Sequence, residues 1–321
     1  MRDVYRAGWA AGPYLLRARV VREGLGRAAA RFGQRFVGSH REQWRENVRL
    51  ATGRTPTDAE VDSAVRSWMR NFTESFVMPS WSAERTVSTV TTDAEAEMRL
   101  REAMATRGAV VALPHIGSWD HAGAWACATG MPVATVAEEF GEAEFAAFKR
   151  YREKLGMRIY GHRDQTALAS LTRDLAEGYL VCLVADRVFD GKGVPVIWPD
   201  GAGGRPALAP IGPALLARRT GAELMGASAR YTPNGIHLSF SEPVAHRTGV
   251  EGLRAMSQDL VDFFAAEVAL NPVDWHVFVP FFPDPHGRTC APTGECRRRC
   301  SVWRVGSPVR VTRRTCWRPA R

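Results

Sequence analysis

Val110-Val111-Ala112-Leu113-Pro114-His115-Ile116-Gly117-Ser118-Trp119-Asp120 concentrates the residue types able to do chemistry in this chain of 321 residues. The stretch contains His-x4-Asp. A histidine beside a carboxylate can act as a general base on a substrate hydroxyl, because the carboxylate fixes the tautomer and stabilises the imidazolium. The activated hydroxyl can itself attack a thioester, so no Ser, Cys or Thr nucleophile is required. The spacing alone is common, and His237/Glu242 and His246/Glu251 repeat it.

Position separates the three pairs. His237 and Glu242 lie in or near one strand, where an offset of five points side chains to opposite faces. His246 falls between Pro243 and Gly249 in an expected loop. His115 follows a buried apolar strand and precedes a helix, the place where open α/β sheets hold ligands. Gly117 permits a tight turn and Ser118 can cap the helix. Asp120, in the first turn, can fold back towards His115, and the helix N-terminus offers N–H groups to a developing oxyanion. The competing reading is a strand-end histidine that only caps a helix.

The flanking pattern supplies the scaffold. From residue 108, short apolar runs alternate with helical ones. Ala109–Leu113, Pro132–Ala137, Arg158–Tyr160, Leu180–Ala185 and Val194–Trp198 read as strands. Trp119–Ala128, Glu142–Leu155, Gln165–Glu177 and Pro206–Arg219 read as helices. Glu223–Tyr231 and Ile236–Phe240 form an expected hairpin over Pro233-Asn234-Gly235, followed by a helix over Gly252–Ala269 and a last strand over Trp275–Phe282. The expected fold is α/β, a central mostly parallel sheet flanked by helices. The first 80 residues read as helical, with a start near Thr57, and Asp93–Thr106 is a further helix.

Charge divides the chain. Its formal net charge is +9. Residues 286–321 hold ten Arg and one acid, Glu295, and alone carry +9. Residues 1–50 carry +7, leaving −7 on residues 51–285. The body is therefore mildly acidic between basic ends, which argues against a nucleic-acid binder. The 45% apolar and 24% charged content excludes general disorder, and no apolar run reaches 18 residues. Arg17, Arg19 and Arg22 interrupt the early apolar stretch, so no secretory signal is expected. Cys127 and Cys182 are the body's two cysteines and suggest a reduced compartment.

Leu-Pro-His-x-Gly-x-Trp-Asp at Leu113–Asp120 resembles the signature block of the bacterial lysophospholipid acyltransferase superfamily, in its lipid A acyltransferase branch. Within it the chain resembles the phosphatidylinositol mannoside acyltransferases of mycobacteria and their actinobacterial relatives. Thr135–Glu138, Tyr151–Met157, Val184–Arg187 and Gly212–Ala217 with Thr220–Ala222 resemble further family blocks, as do Ala7-Gly8-Trp9 and the close from Trp275 to Phe282. Together they span roughly residues 5–284. Ser118 stands where the family usually has Asn, and Trp198–Gly201 where relatives have paired aromatics and Gly.

The resemblance implies acyl transfer from acyl-CoA to a sugar hydroxyl of a glycolipid, most directly mannose of phosphatidylinositol mannosides. It makes His115 the base and Asp120 its partner, with no metal or bound cofactor. It also places Glu138, Arg152 and Asp186 on the family's other polar active-site positions. Arg152 can pair with a carboxylate or a phosphate. Glu138 and Asp186 can accept from sugar hydroxyls or help hold His115, and Arg187 can bind an anion or form a salt bridge. A structural ion pair is the plain alternative for each.

The lipid acceptor calls for membrane contact. Trp9, Leu15, Leu16, Val20 and Leu25 alternate with Arg17, Arg19, Arg22 and Arg27, a pattern suited to an anionic inner-leaflet surface. That implies a peripheral enzyme on the cytoplasmic face of the plasma membrane. The alternatives are lipid A type acylation from acyl carrier protein, or a non-enzymatic basic membrane or nucleic-acid binder. The domain expectation is an acyltransferase body over 1–285 and a basic, disordered tail over 286–321. The tail's Cys290, Cys296, Cys300 and Cys316 do not match a paired zinc ribbon.

Overall fold

The computed structural model describes residues 19–32, 34–139, 141–188, 193–283, 288–290 and 296–298. Two compact units result, Met1–Phe282 and Pro283–Arg321. Trp9, Leu15, Leu16, Arg17 and the Ala7-Gly8-Trp9 block lie outside the described residues. In the second unit the described residues include two antiparallel strands, Arg288–Cys290 against Cys296–Arg298, and the rest of the 286–321 expectation lies outside the described residues. The rest concerns the first unit.

Three helices open it: α1 (Arg19–Phe32), α2 (Gln34–Thr52) and α3 (Asp58–Val77). Thr57 caps α3, with its side chain accepting from the Glu60 N–H while Glu60 reaches back to the Thr57 N–H. This reciprocal pairing satisfies two orphan donors, as the Thr-x-x-Glu spacing predicts. Short α4 (Ala83–Ser88) leads to β1 (Val90–Thr92), and Asp93 then caps α5 (Ala94–Thr106).

The central sheet follows. Its strands are β2 (Ala109–Leu113), β3 (Val133–Ala137), β4 (Arg158–Gly161), β5 (Leu180–Val184), β8 (Glu223–Tyr231) and β9 (Ile236–Phe240), with β1 at one edge. The spatial order is β1-β9-β8-β2-β5-β3-β4. All pairs are parallel except β8 with β9. Crossover helices α6 (Trp119–Ala128), α7 (Glu142–Lys154), α8 (Ala167–Ala176) and α9 (Gly212–Thr220), and α10 (Gly249–Leu270) after the sheet's last strand, complete it. Strand β2 is buried at every position, as a strand covered on both faces must be. Its side chains alternate between two cores. Val110 and Ala112 join Trp44, Leu216 and Phe264 on one face, and Ala109, Val111 and Leu113 join Leu100 and Trp125 on the other.

Two expectations need correction. Pro206–Arg219 is not one helix: Arg205–Ala209 is strand β7, antiparallel to β6 (Val194–Trp198), and α9 begins only at Gly212. The alanine-rich composition suits a helix, but the preceding loop reverses the chain. Asp200 Oδ1 accepts from the Ala202 and Gly204 N–H groups, both at 2.9 Å, and Gly201, Gly203 and Gly204 take positive φ. Ala207 and Ala209 then bury their side chains while Pro206 faces solvent, and this tertiary setting overrides propensity.

Trp275–Phe282 is not a strand either; Trp275 makes one isolated bridge, to Ile116. The carbonyls of this segment are served by side chains instead. Asn47, buried on α2, donates to the Val277 (2.9 Å) and Val279 (2.8 Å) carbonyls, and Trp44 Nε1 donates to Trp275 O (2.8 Å). Asn47→Ala leaves both carbonyls without their donor. The expected loss is about 2–4 kcal/mol, read as a lower urea midpoint at unchanged slope; a midpoint like that of wild type would refute the role given to Asn47.

Candidate active site

The site grows from strand register. Leu113 of β2 pairs with Val184 of β5, and the Ala185 N–H donates to Leu113 O at 2.7 Å. Two residues further along each strand end, His115 and Asp186 stand side by side. His115 Nδ1 lies 2.5 Å from Asp186 Oδ1, and the His115 backbone N–H donates to Oδ2 at 2.9 Å. Trp275 Nε1 donates to the same Oδ2 at 3.0 Å. Three donors thus converge on a carboxylate that is 1% exposed.

Burial pushes the Asp186 pKa up, but the charge of His115, its two hydrogen bonds and the Trp275 donor outweigh it and hold the carboxyl below its ordinary value. An ionised carboxylate only accepts, so the proton of neutral His115 sits on Nδ1. Nε2 is left with its lone pair, on a side chain 18% exposed. That is the arrangement of a general base.

The loop after His115 is sterically defined. Gly117 has φ of 59°, and a Cβ there would lie 1.9 Å from the Ala229 carbonyl oxygen. No other residue fits this turn. Its N–H donates to Asp274 O (2.9 Å), and the Ser118 N–H to Ala229 O (3.1 Å). The Ser118 side chain accepts from the His121 N–H, so Ser118 caps α6 as expected. The N-terminus of α6 therefore lies directly after His115.

Asp120 takes a different partner from the one expected. It bonds Arg152 of α7, Oδ1 to Nε at 2.7 Å, while His115 Nδ1 is taken by Asp186. The reason is geometric: parallel neighbours β2 and β5 deliver Asp186 to the ring, and α7 delivers a guanidinium to Asp120. Arg152 is desolvated, yet the Asp120 charge and hydrogen bond raise its pKa. Glu138, just past β3, pairs with Arg187 at 3.5 Å. The six residues singled out from sequence thus form three pairs at the carboxyl ends of β2, β3 and β5 and on adjoining helices.

His276 and Trp275 were not singled out for the site. The His276 N–H donates to His115 O at 2.7 Å. Burial and the His115 charge push the His276 ring down to about 3, so it stays neutral. The only sequence signal was the place of Trp275 in the closing block.

Beside His115 opens a cavity of about 290 Å³. His115, Asp120, Glu138 and Arg152 stand at one end; Leu100, Trp125, Val133, Met157 and Leu180 line the other. Val133 and Leu180 begin their strands, so the cavity follows the sheet for about a five-residue strand, roughly 15 Å. Its walls are mainly apolar. Cys182 lies on them, and burial together with neighbouring Cys127 pushes its thiol up to about 12; it is protonated at neutral pH.

Comparison with known proteins comes down on one family. The model described as "Bacterial lipid A biosynthesis acyltransferase" matches residues 7–283. A phosphatidylinositol mannoside acyltransferase of Mycolicibacterium smegmatis is 33% identical over 284 residues, covering 85% of this chain and 90% of its own. One of Mycobacterium tuberculosis, strain H37Rv, is 30% identical over 285 residues, covering 86% of each.

The clasp on Asp186 makes a pH prediction. Because the folded carboxyl value is lowered, its stabilisation is fully present above the unfolded value, about 3.9. It is lost as pH falls through the lower folded value. Asp186→Asn should flatten this part of the acid limb in urea titrations repeated from neutral pH downwards. An acid limb identical to wild type would contradict the assignment.

Proposed function

The chain belongs to the bacterial lipid A biosynthesis acyltransferase family, and on that footing we propose that it transfers a fatty acyl group from acyl-CoA to a mannose hydroxyl of phosphatidylinositol mannosides. The observation that carries this reading is a histidine fixed on Nδ1 by a buried carboxylate, with Nε2 open beside an apolar cavity one strand long. The acceptor class follows the names of the mycobacterial relatives.

In this reading the acyl chain enters the cavity and its thioester carbonyl stops near His115. Nε2 takes the proton of the mannose hydroxyl as that oxygen attacks the carbonyl carbon. Asp186 stabilises the imidazolium that forms. The Trp119 and Asp120 N–H groups at the start of α6 face the developing oxyanion. Collapse breaks the carbon–sulfur bond, and the imidazolium proton goes to the leaving thiolate. Asp120–Arg152 and Glu138–Arg187 form a polar rim where sugar hydroxyls and phosphates meet the protein.

A membrane-bound acceptor requires docking at the lipid surface. No helix among the described residues is long and apolar enough to cross a membrane. On α1, Val21 and Leu25 are each 43% exposed and sit four residues apart, on one face. Trp68 on α3 is also exposed. With exposed Arg27, whereas Arg22 is buried, these support peripheral binding to an anionic leaflet, and the cytoplasmic face is the one proposed.

His115→Ala should lower transfer from palmitoyl-CoA to mannosylated phosphatidylinositol by about 10²–10⁴-fold, with the melting curve retained. Asp186→Asn should fall in the same range. Wild-type enzyme giving no acylated mannolipid would end the proposal, and so would a fully active His115→Ala variant. Gly123 tests the cavity separately. It lies on the wall, and a Cβ there would come within 2.6 Å of Met157 Cε at the far end. Gly123→Ala should therefore shift preference from palmitoyl-CoA to lauroyl-CoA by about tenfold or more in kcat/KM. An unchanged ratio would place the chain elsewhere.

A further inference from the structure

Helix α6 borders two cavities. Asp120 and Gly123 face the apolar one, whereas His121 lines a second cavity of about 510 Å³ that acyl transfer as described does not use. Its walls come from α1, α3, α4 and the β8–β9 turn. Arg22, Arg27, Arg66, Arg70 and Arg85 line it, against three carboxylates. Arg70 is anchored: it pairs with Glu74 at 2.9 Å, donates to the Thr232 and Gly235 carbonyls, and lies 4.0 Å over the Tyr231 ring. Arg66 and Arg85 face no carboxylate within ion-pair distance among the described residues. Arg66 donates to Ser63 Oγ, and Arg85 stacks 4.5 Å over Trp81. Guanidinium forks gathered with excess charge suit a phosphate.

A second feature narrows the ligand. His121 is 1% exposed and Glu74 4%. His121 Nε2 lies 3.2 Å from the Thr86 carbonyl, so the proton is on Nε2 and Nδ1 is an acceptor. Burial lowers the His121 pKa and keeps it neutral. Among the described residues, His121 Nδ1, Glu74 Oε2 and the Tyr231 hydroxyl, all on residues that line the cavity, have no hydrogen-bond partner. Buried acceptors call for donors, and an ionised phosphodiester has none to give. Ring hydroxyls do.

The cavity is also close to the base. Asp274 lines it, Ser67 Oγ donates to Asp274 Oδ1 at 2.5 Å, and His276 Nε2 lies 2.9 Å from the same oxygen of Ser67. The His276 N–H donates in turn to His115 O. One layer of side chains separates the two sites.

We infer that this cavity binds the phosphodiester and adjoining ring hydroxyls of the acceptor's headgroup, with the arginines holding the lipid phosphate. The inference rests on the acceptor class proposed above. Calorimetry on the full chain tests it with glycerophosphoinositol, inorganic phosphate and 3′,5′-ADP, comparing wild type with Arg66→Gln/Arg85→Gln. Glycerophosphoinositol should bind wild type more tightly than inorganic phosphate. The double variant should bind it about 100-fold more weakly, about tenfold for each charged hydrogen-bonding group lost. In turnover, KM for mannosylated phosphatidylinositol should rise while kcat holds. Equal glycerophosphoinositol affinity in both proteins overturns the proposal. A loss confined to 3′,5′-ADP also overturns it, because the phosphates would then be the donor's. Inorganic phosphate binding as tightly as glycerophosphoinositol removes the hydroxyl contacts. Glycerophosphoinositol binding lost in the variant, with no acyl transfer by wild type, would sustain the cavity assignment and sink the proposed reaction instead.

Discussion

The buried carboxylate of Asp186 is the constraint on which the site depends. A carboxylate taken out of water without partners costs several kcal/mol. Here the His115 ring, the His115 backbone N–H and the Trp275 indole each donate to it. Those donors come from two separate parts of the chain, the end of β2 and the segment after α10, and the carboxylate itself from the end of β5. The ion that orients His115 therefore also ties the closing segment of the first unit to the middle of the sheet. Asn47 and Trp44 hold the same segment from α2, which links the amino-terminal helices to the catalytic geometry.

Function and fold meet in α6. Its start is fixed by Gly117, whose turn admits no Cβ, and by the Ser118 cap. From there successive residues face different surroundings. Trp119 packs against the His115 ring at 5.4 Å, Asp120 holds Arg152, His121 turns to the basic cavity, and Gly123 leaves space for Met157. One short helix divides an apolar slot from a cationic one, an arrangement that suits the proposed joining of a fatty chain to a charged glycolipid.

Much of this arrangement could be read from residues alone. The apolar run Ala109–Leu113, the Gly-Ser turn and the acid-rich helix starts each depend on local chemistry, and each was found where the pattern put it. The β6–β7 hairpin was not legible, because its cause is a glycine-rich loop closed by Asp200 rather than the alanines that follow. The segment after Trp275 looked like a strand because it is apolar and extended. Its hydrogen-bond partners are side chains more than 200 residues away, which no local pattern records.

The His-x4-Asp motif shows the same limit at closer range. Spacing along the chain says that Asp120 can reach back towards His115, but it carries no information about competitors. In a parallel sheet, the residues two beyond a paired position on neighbouring strands are brought together by the ladder itself. Asp186 gains its place from the Leu113–Val184 pairing without any helical turn having to fold back. Asp120 is then available to compensate Arg152, whose charge would otherwise stand in the same cavity as a histidine that becomes cationic in the proposed reaction. Two carboxylates therefore serve one histidine, one by direct contact and one by neutralising its neighbour.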